Sequence, residues 1–343
     1  MRPGLVTIMM PVLNGELFLP FALDSLLSQA YESFEIVILD NQSTDRTPDI
    51  CREYARRDGR IRYILDDVNR ITHDAGNHLA TYSTGEFCVF ACDDDLWEPT
   101  FLSTLVSCLQ MNPDVGLAYC NAALVNVDGR RSRRRLLKRS NLRNSSHSQF
   151  MNFWHYARSR RVVPILFGVY RSSILQKVLP FDTFDETTRN VDNLFILKLI
   201  TLTRVHCTDQ VLFFYRNKYR GWEASYFSRS PQDRNRLKMW VYDVKHEWRF
   251  LKRIFAVLDN SAFNWPARVI LKGRSLYSFV LFISVLRFRA VIGKLFVRWG
   301  IREGPPLVKD IHHERRLEAH RNIDFKALAS AKHMATKGER LDR

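Results

Sequence analysis

The feature that most constrains the fold is a regular alternation, over the first 120 residues, of short apolar runs with segments of helical spacing. Val6–Met10 reads as a buried strand ended by Pro11. Phe18, Phe21, Ala22, Ser25, Leu26 and Gln29 then recur at the three-and-four spacing of one helix face. Glu35–Leu39 is a second strand, followed by a helix that Thr44 or Thr47 would cap, with Pro48 in its first turn. Ile61–Leu65 is a third strand, and Glu86–Ala91, opened by Gly85, a fourth. Pro99 opens another helix, and Val115–Tyr119 is a fifth strand. This alternation predicts an α/β chain with a Rossmann-like, mostly parallel sheet flanked by helices.

Sheets of this kind bind ligands beyond the carboxyl ends of their strands. Pro11-Val12-Leu13-Asn14 follows the first strand, Asp40-Asn41-Gln42-Ser43 the second, and Asp93-Asp94-Asp95 the fourth. Three adjacent carboxylates are costly unless positive charge sits among them. A hard divalent cation, completed by substrate phosphates, would supply it. Acids near a helix start are also favourable, and Trp97-Glu98-Pro99 follow directly, so the triplet alone leaves both readings open.

Several ordered motifs then act together. Pro11-Val12-Leu13-Asn14, Asp24-Ser25-Leu26-Leu27-Ser28-Gln29-Ala30-Tyr31, Asp40-Asn41-Gln42-Ser43-Thr44-Asp45 and Gly85-Glu86-Phe87 leading into Asp93-Asp94-Asp95 resemble the family 2 glycosyltransferases. The resemblance covers roughly residues 5 to 225. It implies the GT-A fold and an inverting sugar transfer from a nucleotide-sugar, with a UDP-sugar the expected donor. The acceptor would be a glycan or lipid-linked hydroxyl, in polysaccharide or glycolipid synthesis.

By the same resemblance, Pro11 and Asn14 line the nucleotide pocket and Asp40 accepts a hydrogen bond from the base, its alternative being an Asx-turn. Asp93 and Asp94 match the DXD pair, contacting ribose and the metal-bound diphosphate. Asp94, with Asp95, would hold the Mn or Mg ion. Arg216, in the strand ending Tyr215-Arg216, would neutralise phosphate, with Lys218 and Arg220 as alternates that read equally well as a solvated basic loop; Trp222 could stack on a sugar but reads first as core or interface packing. An inverting transfer needs a carboxylate within reach of the acceptor proton. Asp192, ahead of an apolar helical run, matches the family's base. Its alternative is a helix cap, and Asp185 and Glu186 are the alternates.

The chain departs from the family pattern at several points. Cys92 stands where many relatives have the first acid of the string, Asn41 replaces an Asp, and Val191 replaces a Glu. Gly76 replaces a common Arg, and the His often found after Tyr-Arg is absent.

The rest of the chain sets the context. Expected segments are a nucleotide-sugar-binding half (1–120), an acceptor half (121–230), a helical extension (231–305) and a polar tail (306–343). Gly129–Ser148 carries a dense run of Arg and Lys and reads as a loop or hairpin tip. Six cysteines without a CxxC pair argue against zinc or a disulfide framework and suit the reducing cytoplasm. No leader or spanning helix is expected, since Met1-Arg2-Pro3-Gly4 runs straight into a strand and no apolar run approaches about 18 residues.

The net charge of +16 favours polyanions. From Leu281 to Trp299 one helix face carries Leu281, Val285, Phe288, Ile292, Leu295 and Trp299, and another Arg287, Lys294 and Arg298. Such a helix either lies on an anionic membrane, here the inner face of the cell membrane, or packs its stripe on the catalytic region. A non-enzymatic, basic nucleic-acid- or membrane-binding protein is the competing function. No module for sequence-specific nucleic-acid contact is recognisable. A sugar nucleotidyltransferase would need a Gly-rich basic loop after the first strand, where Val12-Leu13-Asn14-Gly15-Glu16 stands instead.

Overall fold

The computed structural model describes residues 1–70, 72–125, 131–137, 148–159, 165–182, 190–216 and 236–298. Its strands are β1 (Arg2–Val12), β2 (Phe34–Asp40), β3 (Ile61–Leu65), β4 (Gly85–Phe90), β5 (Leu96–Trp97), β6 (Val115–Val125), β7 (Arg131–Leu137), β8 (Val169–Arg171) and β9 (Arg204–Arg216). Its helices are α1 (Leu19–Leu27), α2 (Thr47–Arg57), α3 (Thr72–Ala80), α4 (Phe101–Met111), α5 (Gln149–Ser159), α6 (Ser172–Val178), α7 (Val191–Leu202), α8 (Arg236–Asp259) and α9 (Trp265–Arg298).

One sheet runs in the order β3-β2-β1-β4-β8-β6-β9-β5, with β7 paired to β6. The first four strands are parallel, as the alternation predicts. Beyond β4 the sheet is mixed: β8 lies antiparallel to β4 and β6, β9 parallel to β6, and β5 antiparallel to β9. The apolar runs of β1, β2 and β4 are buried almost throughout, because both faces of the sheet are covered. β6 runs through residue 120, so the residues on either side of it belong to a single sheet.

The second helix begins at Thr47 with Pro48 beside it, but neither Thr44 nor Thr47 caps it. Asp45 does that work, its Oδ1 accepting the Thr47 N–H at 2.9 Å. Helix α3 has no signature in the sequence pattern: its segment, Thr-His-Asp-Ala-Gly-Asn-His-Leu-Ala, is mostly polar and buries Ala75 and Leu79 deeply but shows little apolar rhythm. The basic run after Gly129 is described only over β7, an antiparallel partner of β6.

The chain divides into a unit over Met1–Arg287 and a second over Phe288–Arg343. The helical extension is α8 and α9. No helix among the described residues is long and apolar enough to cross a membrane. The polar tail lies outside the described residues, as do Asp185, Glu186, Lys218, Arg220 and Trp222.

Candidate active site

The loops after β1 and β2 are sewn to each other. The Asn14 N–H donates to Ser43 Oγ at 2.9 Å, Gly15 N–H to Thr47 Oγ1 at 2.8 Å and Glu16 N–H to Asp45 Oδ2 at 3.1 Å. In return Thr44 N–H donates to Asn14 Oδ1 at 2.8 Å, and Arg46 N–H to Glu16 Oε2 at 3.1 Å. Asn14 and Gln42 hold φ near +52° and +64°, a region where asparagine is better tolerated than most side chains. Burial works to raise the Asp45 carboxyl, but hydrogen bonds from Thr47 and Glu16 outweigh it and hold the group below its ordinary value.

Pro11 is half-buried near the end of β1, and Asn14 is exposed in the loop that follows. Asp40 is wholly buried. Its Oδ1 accepts the Ser43 N–H at 2.9 Å, the geometry of an Asx-turn, and its Oδ2 accepts the Tyr63 hydroxyl at 2.8 Å. Burial and that bond raise the Tyr63 phenol. Asn41 explains one departure from the family pattern. Its Nδ2 donates to Arg70 O at 2.6 Å and Asn69 Oδ1 at 3.1 Å, while its Oδ1 accepts the Arg70 N–H. An aspartate has no donor for those two oxygens.

The acidic triplet follows β4 and is gripped from β9. Asp93 lies against Gly15: a Cβ there would collide with its Oδ2 and stand 2.8 Å from Val12 Cγ2. The absence of a side chain at Gly15 is what lets the two loops close to this distance. Asp95 is buried, and its Oδ1 accepts the Arg216 N–H at 2.8 Å. Arg216 is itself 4% exposed. Its Nε donates to the Asp94 carbonyl at 2.7 Å, and its guanidinium lies over the Phe18 ring at 4.7 Å. Arg216 thus anchors the triplet's backbone. Asp94 is half-buried, and one ligand atom each from Cys92, Asp94 and Asp95 lies within 4.8 Å of the others.

Asp192 sits in the first turn of α7, where the helix dipole favours a carboxylate. The cap position belongs to Asn190, at φ 63°, so the plain-cap reading of Asp192 does not hold. Its Oδ1 lies 2.8 Å from Nε2 of His73, on α3. His73 is 119 residues away in sequence, on a polar helix whose spacing carries no signal for it. Below this pair Phe181 and Phe195 stack at 4.5 Å, and Phe90, at the end of β4, contacts both. Phe181 packs on Gly76, where a Cβ would stand 3.2 Å from its ring, and exchanges hydrogen bonds with Asn77. Gly76 is therefore the seat of an aromatic ring.

Tyr215 ties the two acidic regions together. Burial first, then the charges of Asp95, Cys92, Asp94 and Asp192, push its phenol up to about 12. The acidic triplet follows β4, and the carboxyl edge of an α/β sheet is the place where it takes its ligand.

Glycosyltransferase GlyA of Streptococcus pneumoniae is 35% identical over 100 residues, 29% of this chain and 14% of that protein. The Escherichia coli UDP-Glc:alpha-D-GlcNAc-diphosphoundecaprenol beta-1,3-glucosyltransferase WfgD is 29% identical over 122 residues, 36% of this chain and 47% of that protein. Each match spans less than half of the relative's length. Among solved structures, Staphylococcus aureus TarS 1-349 in complex with UDP-GlcNAc superposes with a TM-score of 0.60 at 18% identity, covering 80% of this chain and 72% of that one. The mannosyltransferase PcManGT of Pyrobaculum calidifontis, in complex with GDP-Man and Mn2+, gives 0.52 at 16% identity, covering 92% and 81%. These likenesses establish the GT-A-like fold. The profile described as Glycosyl transferase family 2 matches residues 7–178, half of the chain, and the chain belongs to that family.

Proposed function

We propose that this glycosyltransferase moves a sugar from a UDP-sugar to an acceptor hydroxyl with inversion, in the synthesis of a polysaccharide or glycolipid. The observation that carries the reading is the cluster just beyond β4, where one ligand atom each from Cys92, Asp94 and Asp95 lies within 4.8 Å of the others. The acceptor oxygen bonds to the anomeric carbon from the face opposite the diphosphate. The bond from that carbon to the diphosphate oxygen breaks, its electron pair leaves with phosphate, and the acceptor proton passes to Asp192.

Asp94 and Asp95 would hold a Mn or Mg ion. The donor set fits such an ion: two carboxylates offer hard oxygens, and donor phosphates can complete the shell. Cys92 adds a sulfur, which favours Mn over Mg. A bound cation supplies charge that offsets the negative charge growing on the leaving diphosphate. Asp93 faces the Gly15 loop, where Pro11 and Asn14 would meet the nucleoside. Asp40, buried as it is, orders the loop that meets the base, and a base would reach it only through its remaining lone pairs. Arg216 holds the triplet through its N–H and Nε, and by its position it would also supply positive charge to the donor phosphates.

The names of similar proteins support a nucleotide-sugar donor, UDP-GlcNAc in TarS and GDP-Man in PcManGT, and a diphosphoundecaprenol-linked acceptor in WfgD. The test is a donor-hydrolysis and binding screen with UDP-, GDP- and dTDP-sugars, with and without Mn. We expect Mn-dependent turnover of a UDP-sugar; neither turnover nor binding of any donor would overturn the reading.

A membrane-bound acceptor fits the surface of α9. Trp265, Val269, Leu276, Tyr277 and Val280 are exposed along one side, while Leu271 and Ser275 are buried on the other. With a net charge of +16, such a face suits the interface of an anionic bilayer. The protein is expected to float with anionic liposomes at low salt and to be released as salt rises. Retention in the soluble fraction at low salt would remove the membrane from this reading.

A further inference from the structure

We propose that His73 is the positioning partner of Asp192, an imidazole that fixes one carboxylate oxygen so that the other takes the acceptor's proton. The inference rests on the reading of Asp192 as base, and goes beyond it in assigning a second residue to that function. His73 Nε2 lies 2.8 Å from Asp192 Oδ1. An ionised carboxylate only accepts, so the proton on this contact belongs to the imidazole. The opposite nitrogen, Nδ1, is buried and has no hydrogen-bond partner among the described residues. A proton there would be a donor with nothing to donate to, which leaves Nε2 as the protonated nitrogen.

The imidazole has little freedom to turn away. Its side chain is 10% exposed, and its ring meets the edge of Phe181 at 5.4 Å. Phe181 is in turn stacked on Phe195, which stands on the same helix as Asp192. Helix α3 and helix α7 are thus held in register by an aromatic contact, with the His73–Asp192 bond above it. The Asp192 side chain is 37% exposed. With Oδ1 occupied from inside, Oδ2 is the oxygen left to face an acceptor. When Oδ2 takes the proton, Oδ1 becomes the carbonyl oxygen of the acid and still accepts from Nε2. The proton on His73 need not move, and the imidazole orients without entering the transfer.

Two measurements on the full chain test this. Long-range proton–nitrogen spectra of the wild-type imidazoles should show His73 protonated on Nε2, with that pattern lost in Asp192→Ala. An Nδ1-protonated His73, or a pattern indifferent to Asp192→Ala, would overturn the proposal without any substrate. In turnover of the nucleotide-sugar found in the donor screen, His73→Leu should lower kcat by about ten- to a hundredfold with donor KM unchanged, the range seen when a group that orients a ligand is removed. His73→Gln, whose Nε2 can donate to the same oxygen, should recover most of that loss. If Asp192→Asn abolishes transfer while His73→Leu leaves kcat at the wild-type value, the base reading stands and His73 has no part in it. If Asp192→Asn transfers normally, both fall.

Discussion

Asp192→Asn is expected to lower transfer by about a thousandfold, roughly 4 kcal/mol of barrier, within the range attributed to a positioned general base. The substitution is chosen for what it keeps. The amide retains an oxygen to accept from His73 Nε2, and α7 keeps its Asn190 cap and its buried face of Leu194, Phe195 and Ile196. Donor affinity, read by titration with the nucleotide-sugar, should therefore match the wild type, and the melting temperature should be nearly unchanged. What is lost is a site of sufficient basicity to take a hydroxyl proton as the new bond forms. Wild-type turnover in this variant would remove Asp192 from the chemistry and turn attention to other carboxylates.

Asp94→Ala should have the opposite signature. Mn-dependent donor binding is expected to fall by at least about a hundredfold, above the loss seen on removing groups that merely orient metal ligands. Binding measured with chelator present should change little, because the nucleoside-facing loops do not depend on this carboxylate. Asp94 is a cleaner probe than its neighbour. Asp95 also accepts the Arg216 N–H from inside the protein, so replacing it would loosen β9 as well as the proposed metal site. The contact that Arg216 makes to residue 94 is to the backbone carbonyl and survives truncation of the side chain. Unchanged Mn-dependent binding in Asp94→Ala would refute its assignment as a ligand.

The parts of this protein that were legible from sequence are those whose physics is local. β1, β2 and β4 are continuous apolar runs because each is buried on both faces, and such runs announce themselves. The polar turns after them follow from the topology, which made the acidic triplet conspicuous. What escaped depends on pairings between distant residues. The pairing of β5 with β9, which brings the Arg216 N–H to Asp95 121 residues away, has no mark in the local sequence. Asn41 reads as a lost charge until its amide is seen holding Arg70 and Asn69. Cys92 reads as a lost acid, yet its sulfur belongs to the same cluster as Asp94 and Asp95. His73 lies in a polar helix with no amphipathic stripe to mark it, and its importance exists only once α3 and α7 meet.

One contact bears on how such enzymes are recombined. Asn190, the residue that starts the helix bearing Asp192, donates its amide to Glu247 Oε1 at 3.0 Å and lies 3.3 Å from His246 Nε2, both buried on α8. Its own side-chain oxygen accepts from Asn193, which in turn takes a hydrogen bond from Tyr156 of α5. The C-terminal helices are therefore not a cassette that can be exchanged between relatives at a cut after β9. A chimaera joined there would face Asn190 with foreign side chains, and an otherwise intact sheet would carry Asp192 on a helix whose first turn had lost its anchor. A working graft must carry the 190–193 turn and its α5 partner along with α8, so the unit of inheritance here is a set of contacts rather than a stretch of chain.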